Sequence, residues 1–184
     1  DFVCITGDFI DATGIQASEL RSLKSIVGPI YFCTGNHEKY EDLDEILARL
    51  TSLGVDVLRN DTKYFRDDIQ IVGVDDMEDA FQVKKQLLNI EVDRSAFTVL
   101  LYHRPRGLVD AAEAGVDLML SGHTHNGQIM PFNLMVGRVF DMVKGMYQHG
   151  NTRLYVSQGT GTWGPVMRIG TQSEITLFEI SPES

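Results

Sequence analysis

Four short polar clusters interrupt the chain where apolar runs end: Gly7-Asp8-Phe9-Ile10-Asp11, Gly35-Asn36-His37-Glu38, Tyr102-His103-Arg104 and Gly122-His123-Thr124-His125. Each follows a stretch that reads as a buried strand, namely Phe2 to Thr6, Ile30 to Cys33, Phe97 to Tyr102 and Val116 to Leu120. Side chains at the carboxyl ends of parallel strands converge on one crevice. The pattern therefore points to an α/β chain whose reactive groups collect along one edge of a sheet.

The segments between the clusters supply the rest of the fold. Gln16 to Val27 carries Leu20, Leu23, Ile26 and Val27 at helical spacing and stops at Gly28-Pro29. Glu41 to Leu53 places Leu43, Ile46, Leu47, Leu50 and Leu53 on one face, with acidic residues in its first turn and Gly54 as the stop. Tyr64-Phe65-Arg66 and Ile69 to Val72 flank Asp67-Asp68 as a hairpin. Phe81 to Asn89 and Val109 to Ala114 read as helices, and Leu154 to Ser157 and Glu174 to Ile180 as strands. Alternating strands and helices followed by a strand-rich end predict a four-layer αββα sandwich of two mixed sheets.

With 184 residues, 43% hydrophobic and 23% charged, residues 1–184 read as one globular domain. The chain opens inside an apolar run, Asp1 to Thr6, without a preceding turn or cap. An upstream strand is therefore expected, and with it any anchor. No stretch approaches the roughly 18 apolar residues that span a bilayer. Cys4 and Cys33 sit in strand patterns as core thiols of a reducing compartment, so the expected location is cytoplasmic or membrane-associated. A net charge of -10 argues against affinity for a nucleic-acid backbone, and bound divalent cations would offset part of it.

The clusters contain four of the chain's five histidines. Asp8 at a strand end can bridge two cations, although Gly-Asp-x-x-Asp is also an ordinary turn or cap. Asn36 can offer a neutral amide oxygen, which leaves His37 for acid chemistry or, more simply, as a solvated turn residue. His103 is placed to leave the core and enter the crevice, or to stay as a hydrogen-bonded core imidazole. Two histidines separated by one residue, His123 and His125, can each meet a different cation, and this is the most specific of the four elements.

Taken together, Gly7-Asp8-x-x-Asp11, Gly35-Asn36-His37-Glu38, His103 and Gly122-His123-Thr124-His125 resemble the calcineurin-like metallophosphoesterases, in the same order along the chain. Ser121 to Gln128 and the Gly159 to Arg168 stretch resemble the small bacterial subgroup often tethered to membranes. The resemblance covers nearly the whole chain and implies two divalent cations, Mn, Zn or Fe. Asp8 would bridge them, with Asn36, His103 and His123 on one and His125 on the other. His37 would be the general acid, oriented by Asp11. The family opens with an Asp-x-His strand that would precede Asp1, so one metal site is incomplete here. Asn126 stands where Gly commonly follows, a small departure because Asn tolerates left-handed backbone.

The implied reaction is hydrolysis of a phosphate ester, a phosphodiester or pyrophosphate, by water activated between the cations. The substrate would be a small-molecule or lipid-linked phosphate ester. Met130, Phe132, Leu134, Met135, Val136, Phe140, Met142, Val143 and Met146 follow the loop histidines. They read either as an apolar lip for lipid or peripheral membrane contact, or as a packed helix covering a sheet. Trp163 and Arg168 lie in a Gly-rich stretch that could fold over the crevice, with Arg168 pairing a phosphate, or in which Trp163 only packs and Arg168 stays solvated. Rival readings are a nuclease and a catalytically degenerate protein-interaction scaffold.

Overall fold

The first apolar run becomes β1 (Val3–Ile5), which pairs in parallel with β2 (Ile30–Phe32), itself parallel to β3 (Val55–Val57). This computed structural model describes residues 1–10, 14–40 and 42–181. Between β2 and β3, α1 (Leu43–Ser52) starts where the Asp42 carboxylate accepts the Glu45 N–H, and Asp44 and Glu45 complement the helix dipole in the first turn. Its apolar stripe, Ile46 and Leu50, packs with Leu53 on Ile30, Phe32 and Val55.

A second sheet of six strands follows. The hairpin of β4 (Asp61–Arg66) and β5 (Ile69–Val74) turns at Asp67-Asp68 as the sequence predicts. After α2 (Gln82–Leu87), β6 (Phe97–Tyr102) lies parallel to β5. The α3 helix (Leu108–Ala114), closed by Gly115 at φ 94°, leads to β7 (Leu118–Ser121), parallel to β6. Helix α4 (Phe132–Val139) and the hairpin of β8 (Gly145–His149) and β9 (Thr152–Val156) complete the order β4-β5-β6-β7-β9-β8.

Strand alternation sorts the core into three layers, because successive side chains point to opposite faces. Tyr31, Cys33 and Leu58 meet Ile71, Val99 and Leu101 between the sheets. Val72, Leu100, Tyr102, Met119 and Leu154 face outward under Val83, Leu108 and Ala111 of α2 and α3. With α1 on the far side, this is the αββα sandwich. The larger sheet is mixed, whereas the smaller one is wholly parallel among the described strands.

Two segments differ from expectation. Of the helix predicted over Gln16 to Val27, only a 3₁₀ turn at Arg21–Ser25 forms, with Val27 92% exposed. Leu20 supplies no side-chain cap, and so short a run falls below the length at which a helix holds itself. Glu174 to Ile180 lies without a ladder partner among the described residues, leaving Ile175 and Leu177 exposed.

Candidate metal centre

Two of the four loops touch backbone to backbone. A Cβ on Gly7 would lie 2.4 Å from the Gly35 nitrogen, and one on Gly35 would lie 2.1 Å from Asp8 Oδ1. Glycine alone permits that approach. The contact places Asp8 Oδ1 to accept the His37 N–H at 2.9 Å, while Oδ2 lies 2.9 Å from His103 Nε2 and 3.9 Å from His37 Nε2.

His103 leaves the end of β6 with Nδ1 2.7 Å from the Thr6 carbonyl oxygen. Nδ1 therefore carries the proton toward that acceptor, and Nε2 is turned to Asp8 and to His123 Nδ1, 3.0 Å away. His123 follows β7 at φ 69°, its ring edge-on to Phe140. Asp8, His123, His125, Asn126 and Gln128 all hold positive φ, and backbone strain of that kind collects at functional sites.

The donor atoms of Asp8, His103 and His123 lie within 4.8 Å of one another. A cation with bonds of about 2.1 Å holds adjacent ligands about 3 Å apart, so this mixed carboxylate and imidazole set fits a transition-metal cation. Asn36, one residue before His37, has a buried Oδ1 with no hydrogen-bond partner among the described residues. Buried acceptors are normally paired, and an unpaired amide oxygen suits a neutral metal ligand.

Electrostatics follows from that crowding. Burial would raise the Asp8 carboxyl, but the bond and charge of His103 and the His37 N–H outweigh it and bring it down to about 2. Burial would lower His103, yet its contacts with Asp8 raise it above the usual imidazole value. Burial, reinforced by the His103 charge, pushes His123 down to about 3, which keeps its lone pair available.

The remaining predicted residues are placed differently. His125 lines the same groove but stands outside the triad, with Nδ1 3.4 Å from an Arg168 nitrogen. The Arg168 guanidinium donates to the carbonyls of Gln158, Gly161 and His125, so it clamps the Gly-rich loop onto the His125 turn. Trp163 is half exposed on the groove wall, its backbone held by the Gln128 side chain. Asp11 lies outside the described residues. Sequence reasoning gave Glu38 no role, although it is fully buried and binds the Asp8 loop; it also missed the Thr6 carbonyl.

An open groove of about 680 Å³ runs from Asp8, His103 and His123 along the outer edge of β1 to Phe178. No residue of α4 is buried, and Leu134, Met135 and Val139 are more than half exposed.

A family model described as calcineurin-like phosphoesterase matches residues 1–127. A protein of Helicobacter pylori named an uncharacterized metallophosphoesterase is 36% identical over all of this chain and 52% of its own length. A Bos taurus protein named a transmembrane protein with metallophosphoesterase domain is 36% identical over 96% of this chain and 45% of its own length. The chain thus spans about half the length of these relatives. Among solved structures, the phosphopantetheinyl hydrolase of Mycobacterium tuberculosis shares the fold, with TM-score 0.56, 13% identity, and coverage of 85% of this chain and 78% of that one.

Proposed function

Because the chain belongs to the calcineurin-like phosphoesterase family, we propose that the protein hydrolyses a phosphate ester at the crevice built by Asp8, Asn36, His103 and His123. The observation that carries this reading is the convergence of Asp8 Oδ2, His103 Nε2 and His123 Nδ1. Those residues and Asn36 would hold one divalent cation, and His125 would serve a second. Bound divalent cations lower the pKa of water and offset charge on phosphoryl oxygens. Asp8 orients the imidazoles around it, and the Thr6 carbonyl fixes the tautomer of His103. His37 holds at Nε2 the proton that the leaving oxygen takes.

The lipid-linked version of this reading has its own support. Phe140, at the end of α4, touches the His123 ring and so links that exposed apolar helix to the metal-centre residues. The Bos taurus relative is also named as a transmembrane protein. A phosphodiester on an acyl carrier lipid would then lie with its chain on α4 and its phosphate among the histidines. The net charge of -10 counts against a nuclease.

The test uses the full-length protein with Mn²⁺ and compares a bis-nitrophenyl phosphodiester with an alkyl phosphodiester. Asp8→Asn should lose both metal and turnover. His37→Ala should keep the metal and lose about 10² to 10⁴-fold on the alkyl ester, with a smaller loss on the nitrophenyl ester, whose leaving group needs less protonation. Bound metal without turnover of either ester would favour the scaffold.

A further inference from the structure

We propose that Glu38 is a positioning residue of the metal centre: without touching a cation, its carboxylate holds Asp8 in the backbone conformation that aims Oδ2 at His103. The inference rests on the metal-centre reading above. Glu38 lies in the 3₁₀ turn His37–Tyr40 and is fully buried. Its Oε1 accepts the N–H of Phe9 at 2.7 Å and of Ile10 at 3.2 Å. Oε2 accepts the N–H of Asp8 at 3.0 Å and of Gly35 at 2.8 Å. Four N–H donors thus occupy both oxygens, so the buried side chain is fully paired, the condition for burying a polar group at tolerable cost.

Three successive backbone N–H groups facing one concavity make an anion nest, and here the anion is a side chain of the same protein. The nest exists because Gly7 and Asp8 are both left-handed, at φ 83° and 51°. Residues other than Gly persist there when their surroundings hold them. The exchange is reciprocal. Asp8 Oδ1 accepts the His37 N–H and starts the turn that carries Glu38, while Glu38 closes the turn that carries Asp8. It is the logic of a capping box spread over about thirty residues. With Oδ1 committed to the backbone, Oδ2 is left to face His103. A glutamine cannot replace Glu38, because its amide NH₂ would meet two N–H donors.

The experiment compares full-length parent, Glu38→Gln, Glu38→Asp and Leu50→Ala. Mn²⁺ affinity is read by calorimetry, ligand geometry by the visible spectrum of the Co²⁺ form, and the nest by amide exchange at Phe9 and Ile10 without metal. Glu38→Gln should raise the Mn²⁺ Kd by about 10 to 100-fold, shift the Co²⁺ bands and expose both amides. Leu50→Ala, on the buried face of α1, should lower Tm yet leave Kd and spectrum alone. Glu38→Asp keeps the charge on a shorter arm and should fall between, which covers a Glu38→Gln protein that does not fold. Exposed amides with parental Kd and spectrum would overturn the proposal and leave the metal centre standing. So would a loss of metal by Leu50→Ala as large as that of Glu38→Gln. A parent that binds no Mn²⁺ would overturn both readings.

Discussion

Beside His103, Arg104 donates to both oxygens of Asp76, at 2.6 and 3.2 Å, with both side chains almost sealed from water. Lys39 also donates to the Asp76 carbonyl, and the next cluster links Thr34, Asp75 and Arg59. A buried pair of this kind gains little over an apolar replacement, but losing one member strands a charge. Asp76→Ala should therefore destabilise the protein by about 3–5 kcal/mol in urea unfolding, and Asp76→Leu with Arg104→Met should recover most of it. A single-variant cost below about 1 kcal/mol would mean the pair behaves like a surface contact. The sequence displayed Arg104 as part of a strand-end cluster, but its partner lies 28 residues earlier, and only the packed sheet ends join them.

At the level of elements, the segment 174–180 has the composition of a strand and is held by side chains rather than by a ladder, with Thr176 donating to Tyr155 Oη at 3.1 Å. Glu174 accepts from Tyr155 Oη and the Gln158 N–H, each at 3.0 Å, and Phe178 packs edge-on to Tyr155. Burial would raise the Glu174 carboxyl, but those donors together hold it below the usual range. A folded pKa below the unfolded one means that the contribution is complete above the ordinary carboxylate pKa and disappears as pH falls through the lowered value. Exchange of the amide at position 174, whose N–H donates to the Gly159 carbonyl at 3.1 Å, corrected for its intrinsic pH dependence, should accelerate below about pH 4, and Glu174→Gln should show the fast exchange there at neutral pH. Equal protection in parent and variant at neutral pH would show that Phe178 suffices. Period-two alternation makes such a segment look like any other strand, because hydrophobic pattern records which face is apolar and not whether an edge stands beside it.

For the molecule as a whole, the proposed lipid-linked substrate carries a condition: with a charge of -10, the exposed apolar face of α4 would meet uncharged lipid rather than anionic surfaces. Leu134 and Met135 are 66% and 55% exposed, and burying a large apolar side chain contributes about 1.5–3 kcal/mol. Replacing both with Asp should weaken binding to zwitterionic vesicles by at least about tenfold, while turnover of a soluble phosphodiester stays at the parental rate. Unchanged vesicle binding would remove α4 from the substrate path. The linear chain determined the αββα order and the four strand-end clusters, since runs of Val, Ile and Leu ending in Gly-Asp, Gly-Asn-His, Tyr-His or Gly-His impose those elements locally. Tertiary structure alone decided that Glu38 seats the Asp8 turn, that Asn36 keeps an unpaired oxygen, and that Arg168 binds carbonyls. Each depends on backbone directions and hydrogen bonds between distant segments, which exist only after the two sheets have packed.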